Sequence, residues 1–171
     1  MKRRILCWFC SLILGLSVIQ LNPSVVDAKK AKGPKSELTD KKFIELYNGA
    51  VQKFRMGQID QAIGVARNGM GRWPKSPRLL ALLGYAYKSK KMYMQAVTYF
   101  NRAAKFFNKT EFFEKGQVLY NVAICYELQQ QREAAVAQWQ VFIAFAKNYN
   151  QELQSVVHAK KRIQQLRAVK K

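Results

Sequence analysis

The sequence predicts an all-α repeat protein, a solenoid of three helix-turn-helix units closed by one capping helix. Three observations carry this. The small residues Ala50, Gly84 and Ala123 are each followed by an alanine 12 positions on, at Ala62, Ala96 and Ala135. Successive units are offset by 34 and then 39 residues, so the distance inside a unit is constant while one junction varies. Residues 150–169 give a further amphipathic stretch with no second copy to pair with. No alternating strand pattern is present.

From the N-terminus, Lys2, Arg3 and Arg4 precede the apolar run Ile5 to Ile19, and Gln20 to Ala28 follows with the helix breaker Pro23. Val26 and Ala28 supply the small residues of a signal peptidase site, so residues 1–28 read as an export signal cleaved after Ala28. The run falls short of the roughly 20 residues of a membrane-spanning helix. An uncleaved signal anchoring the chain to the inner membrane stays as the alternative. Cys7 and Cys10 lie inside the run and would be discarded with it, which leaves Cys125 without an internal disulfide partner. Residues 29–42, rich in lysine and carrying Gly33-Pro34, read as a basic flexible linker that becomes helical near Thr39 or Asp40, either of which can cap a helix.

The first unit spans 43–76, and its second helix carries Gly64, Gly69 and Gly71, which should make that end the softest. The second unit, 77–110, opens with a capping Ser76 before Pro77 and turns near Ser89 to Lys91. Leu80, Leu83, Gly84 and Tyr87 form one stripe, and Tyr93, Ala96, Phe100 and Ala103 the other. Gly84 and Ala96 are expected in close helix contact. The five extra residues at the next junction fall near Glu111 to Lys115, where Phe112 and Phe113 suggest a docking element. The third unit is 116–149. In the terminal segment, 150–171, Asn150 is the expected cap. Leu153, Val156, Val157, Ile163 and Leu166 are expected inward, with Lys160, Lys161, Arg162 and Arg167 outward and a basic tail beyond. A membrane-surface helix is the other reading of this amphipathic segment.

The middle unit places Leu80, Leu83-Gly84, Tyr87, Ala96 and Phe100 at the register of a 34-residue pattern, and the third repeats it with Leu119, Val122-Ala123, Tyr126, Ala135 and Trp139. In this the chain resembles the tetratricopeptide repeat (TPR) family, of an exported bacterial type. The first unit fits less well, with Leu46, Ala50, Ala62 and Pro74 in place but Gly49, Lys53 and Ala66 where large apolar residues are expected. The resemblance implies a right-handed superhelix whose concave groove is lined mainly by the first helix of each unit. Carried over by register, the peptide-binding candidates are Tyr47, Asn48 and Arg55, then Arg78, Tyr85 and Lys88, then Tyr120, Asn121 and Glu127. Aromatic, amide and basic side chains suit an extended peptide, the amides bonding its backbone and the cations meeting carboxylates. Chaperone-binding members hold a C-terminal carboxylate with Lys, Asn and Arg. The corresponding positions here are Tyr47, Val51, Leu82, Gln117 and Asn121, and only Asn121 agrees, so that clamp is absent.

No pattern of catalytic, metal-ligating or cofactor-binding residues occurs, so no enzyme activity and no cofactor are expected. His158 has no Cys or carboxylate at ligand spacing on its face and reads as a packing or surface residue, and Cys125 as a small buried hydrophobe. Asn108-Lys109-Thr110 is a formal glycosylation sequon. A 49% hydrophobic, 12% aromatic chain is too apolar for a disordered polycation. Its net charge of +20, about +18 after cleavage, gives a positive field that favours anionic surfaces. The expected function is a non-enzymatic interaction scaffold or adaptor of the cell envelope, most simply the periplasm, binding a peptide or protein. The alternative is charge-driven binding of an anionic cell-wall polymer or lipid headgroups. Nucleic acid is disfavoured because an exported protein rarely meets one.

Overall fold

A computed structural model of the chain describes residues 37–147 and 154–168, and the export signal, most of the linker, Asn150, Leu153 and the basic tail lie outside them. Among the described residues there are seven α-helices and no strand: α1 Lys41–Arg55, α2 Ile59–Arg72, α3 Pro77–Ser89, α4 Tyr93–Phe106, α5 Phe112–Leu128, α6 Arg132–Lys147 and α7 Gln154–Ala168. Each packs on the next in sequence, giving an all-α repeat solenoid of three helix pairs followed by a single terminal helix.

Local chemistry sets the helix starts. The Asp40 carboxylate accepts from the Lys42 amide at 3.0 Å, and the Ser76 hydroxyl accepts from the Leu79 amide at 3.2 Å, with Pro77 placed where no amide proton is needed. Asn108 and Glu111 form a reciprocal capping box over the short 3-10 helix Lys109–Glu111. The Asn108 side chain of the sequon is thereby engaged, accepting from the Thr110 and Glu111 amides.

The turn inside each pair is the same three times. Gly57, Lys91 and Gln130 take positive φ of 76°, 61° and 59°, and they are spaced by 34 and 39 residues, as the alanines are. Around each, two backbone bonds close the end of the preceding helix, as in Gln58 to Lys53 at 2.9 Å and Gly57 to Phe54 at 3.0 Å, a Schellman arrangement. The inserted residues near Glu111 to Lys115 appear as added helix: α5 has 17 residues against 13 in α3, so nearly all of the insertion is one extra turn at its N-terminus.

Ala50, Ala62, Ala96, Ala123 and Ala135 are all completely buried, and Gly84 is buried with them. A Cβ added at Gly84 would lie 2.5 Å from Phe100 Cδ1, so the space that the glycine leaves is filled by the ring of Phe100, one helical turn past Ala96. Gly69, unlike Gly64, is a packing position. An added Cβ there would meet Leu46 Cδ2 at 2.6 Å and Leu79 Cδ1 at 2.9 Å, so this glycine lets α2 approach both α1 and α3. Gly64 has nothing within 4 Å. Gly64→Ala should therefore stabilise the protein by about 0.5–1 kcal/mol and Gly69→Ala should destabilise it by about 1–3 kcal/mol, a contrast in sign that thermal melts would read.

The terminal helix keeps its expected face, with Lys160, Lys161 and Arg167 exposed, apart from two side chains. Ser155, Val156 and Ala159 are buried and Ile163 and Leu166 pack against the core, but Val157, expected inward, is 63% exposed. Arg162, expected outward, turns in toward α5. The reason is chemical: the guanidinium finds a carboxylate there, while Val157 sits beside the contact stripe.

Candidate protein-binding face

The odd-numbered helices α1, α3 and α5 carry all nine candidate side chains, and the structure sorts them into three groups. The first lies at the junction of units one and two. Tyr47 stacks on Phe43 at 5.8 Å, with the Phe43 ring edge-on to Trp73 at 5.3 Å. Tyr85 sets its ring edge-on to Phe100 at 5.0 Å. Burial pushes the ionisation of both hydroxyls upward, so both remain neutral donors. Asn48 and Arg55 are exposed on α1.

Arg78 is already engaged. Its guanidinium is 2.6 Å from Glu111 and 4.0 Å from Glu37, and Glu37 in turn accepts from the buried Ser76 hydroxyl at 3.0 Å. Burial raises the Glu37 carboxyl above its ordinary range, opposed by the Ser76 bond and by Arg78. Arg78, Glu37 and Glu111 line a cleft of about 260 Å³ with Lys75, Pro77, Phe106 and Asn108. Glu111 comes there from the 3-10 helix that leads into the extra turn of α5, which spacing inside a unit does not reveal.

The second group bridges units two and three. Lys88 Nζ donates to Asn121 Oδ1 at 2.6 Å, and Asn121 Nδ2 donates to the Gln117 carbonyl at 2.9 Å. Burial holds the Lys88 ammonium below its ordinary range. Cys125 is completely buried, and burial pushes its thiol up to about 11, with Lys88 acting in the opposite direction. A thiol so placed is inert at neutral pH.

The third group is covered by α7. The Tyr120 hydroxyl is 2.9 Å from His158 Nδ1, and its ring meets Trp139 edge-on at 4.8 Å and Phe142 at 5.4 Å. Glu127 accepts from Trp139 Nε1 at 2.5 Å and from Arg162 Nε at 3.1 Å, and it also pairs with Arg162 Nη2. Thus Tyr120 and Glu127, read from the sequence as ligand-facing, dock the terminal helix. His158, read from the sequence as a packing or surface residue, packs here, and Arg162, expected outward, pairs here. Their signal is the period: Lys88 to Asn121, Glu127 to Arg162 and Tyr120 to His158 span 33, 35 and 38 residues, close to one repeat. The terminal helix therefore stands where the first helix of a fourth unit would stand.

His158 gives a pH test of this docking. Burial first, and then Arg162, lower its pKa, so the folded protein keeps the ring neutral at a pH where the unfolded chain protonates it. Its contribution is full above the ordinary histidine pKa and is lost as pH falls through the depressed one. Melting temperature should drop between about pH 7.5 and pH 5.5, and His158→Gln should show a smaller drop over the same window. Equal drops would remove His158 from the interface.

Among the described residues no His, Cys, Asp or Glu are grouped closely enough to hold a metal ion, and no helix is long and apolar enough to cross a membrane. No family model matches the chain, and no curated protein matches its sequence. Solved structures do match its fold. The Yersinia enterocolitica type III secretion translocator chaperone SycD superposes with a TM-score of 0.64 at 13% identity, covering 78% of this chain and 87% of its own. PcrH, solved in complex with the chaperone binding region of PopD, gives a TM-score of 0.64 at 16% identity, covering 81% of this chain and 98% of its own. At these identities the likeness is one of fold: this chain is a helical repeat of the same architecture as these chaperones.

Proposed function

We propose that the chain is an exported TPR-type adaptor without enzymatic activity, which holds an extended peptide or protein segment of the cell envelope on the face formed by α1, α3 and α5. The observation that carries this reading is the row Tyr47, Tyr85 and the Lys88–Asn121 pair on successive odd helices, with aromatic surface and fixed polar groups side by side. A protein of the same fold, PcrH, binds a segment of a partner protein. The face ends where α7 takes over Tyr120 and Glu127, which leaves α1, α3 and the Asn121 side of α5 as the open part.

Photo-crosslinking in the native cell tests it. A crosslinking residue at exposed Asn48 should give a discrete protein adduct, whereas one at exposed Arg102 on α4 should not. The reverse pattern would move the binding face to the even helices. Export is checked by mass spectrometry of the mature N-terminus, expected to begin at Lys29.

A second reading is favoured by the charge pattern. Among the described residues, Glu37, Asp40, Glu45, Asp60, Glu111 and Glu127 are each already in an ion pair with a lysine or arginine, so the remaining cations are mostly uncompensated. Charge-driven attachment to an anionic envelope polymer or lipid surface predicts cosedimentation with anionic vesicles that collapses as salt rises. Binding that ignores salt excludes it.

A further inference from the structure

Arg78, Lys88 and Arg162 are partly buried cations on odd-numbered helices, and the fold treats them unequally. Arg78 is neutralised by Glu111 and Glu37, and Arg162 by Glu127. Lys88 is half-buried, yet none of the described carboxylates pairs with it, and its hydrogen-bond partner is the neutral oxygen of Asn121. That oxygen is fixed toward the ammonium because the other end of the amide is committed to the Gln117 carbonyl. An ammonium carries three donors, and one amide oxygen satisfies one of them. Withdrawing a cation from water without a counter-ion costs stability, and a single neutral acceptor does not offset it. The position is therefore a liability for the folded chain alone, and the ammonium still offers N–H groups beside Asn121.

We infer that Lys88, steadied by Asn121, is the point at which this face recognises an acidic side chain, an Asp or Glu of an extended partner peptide. The inference rests on the peptide-binding reading above and names the chemistry of its partner. A carboxylate arriving there would form a charge-assisted hydrogen bond in a partly desolvated site, where such bonds are strongest. It would also supply the counter-ion that the fold withholds. The overall positive charge attracts acidic peptides without regard to position. Lys88 adds a requirement for the carboxylate at one register of the peptide.

The test is selection of a random peptide library displayed on phage against the full chain, followed by affinity measurements on a selected peptide. Wild type should enrich Asp or Glu at a single register. Lys88→Met, which keeps the aliphatic stem and removes the charge, should bind the selected peptide about 10-fold more weakly. It should melt no lower than wild type, a combination that a purely structural lysine would not give. Lys91→Gln is the charge-matched control, on the exposed turn at the position that glutamine itself occupies in the third unit. It should change affinity by no more than about 2-fold, as expected of a screened surface charge. Replacing the peptide's acidic residue by alanine should weaken binding to wild type but not further to Lys88→Met. Selected peptides without a fixed acidic register, or equal losses from the alanine peptide in both proteins, would overturn the role of Lys88 and leave the binding face standing. Recovery of no peptide by either protein would overturn both.

Discussion

Trp139→Ala is expected to lower stability by about 3–5 kcal/mol, the largest effect of any single truncation in the third unit. Trp139 is completely buried, and its ring is shared by three elements. It meets Tyr120 on α5 at 4.8 Å, Phe142 on α6 at 6.2 Å and His158 on α7 at 5.9 Å. Truncation loses the apolar transfer energy, leaves a cavity that rigid neighbouring helices fill poorly, and removes the indole donor from Glu127. Trp139→Phe keeps most of the volume and loses the donor, so it should cost about 1–3 kcal/mol. Urea unfolding followed by circular dichroism would separate the three proteins. A loss under about 1 kcal/mol for Trp139→Ala would mean that α7 does not close over α5 and α6 as described.

Gly84→Ala should also destabilise, by about 1–3 kcal/mol, although alanine is favoured over glycine in a helix by about 1 kcal/mol. Steric conflict wins here because of what surrounds the glycine. The new methyl would fall 2.5 Å from Phe100 Cδ1 and 2.6 Å from Cε1, and Phe100 is itself completely buried with Tyr85 against its edge. A flexible surface side chain could swing aside, but a ring held on all sides requires the α3–α4 spacing to change. Phe100→Leu should cost stability alone and yet make room for the added methyl, so the double variant should be more stable than the sum of the two single losses implies. Denaturation midpoints of the four proteins complete the cycle. A stabilising Gly84→Ala would mean that α3 and α4 are farther apart than this packing requires.

The repeat is legible because helical packing needs small residues at fixed positions, and a fixed need recurring at a fixed period leaves a trace in one sequence. The Ser76-Pro77 start of α3 and the turn around Ser89 to Lys91 are legible for the same reason, since caps and turns are local. The positive-φ residues are only partly so. Gly57 announces itself, but Lys91 and Gln130 adopt the same conformation without a glycine, held by the bonds that close the helices before them. The site is less legible than the fold. Pattern reading sends Arg162 to solvent because it puts charges outside, whereas a guanidinium on a long apolar stem can pack its stem and pair its head with Glu127. Register alone gives Arg78 to a ligand because its partner, Glu111, is 33 residues away across the irregular junction. Both pairings escape pattern reading for one reason: a side chain's partner on another helix is not encoded in its own helix's periodicity.

Each helix packs chiefly on its sequence neighbours, and this bears on how the chain forms and comes apart. Contacts are short in sequence, so little loop entropy is lost before they form, and folding should be fast for a chain of this length. Nine of the thirteen residues of α3 are buried, against three of fifteen in both α1 and α7. Order should therefore begin at the α3–α4 pair and spread outward, as along a one-dimensional lattice. Amide exchange would show it as a gradient, slowest in α3 and fastest in α1 and α7, with those two helices opening independently of the α3–α4 pair.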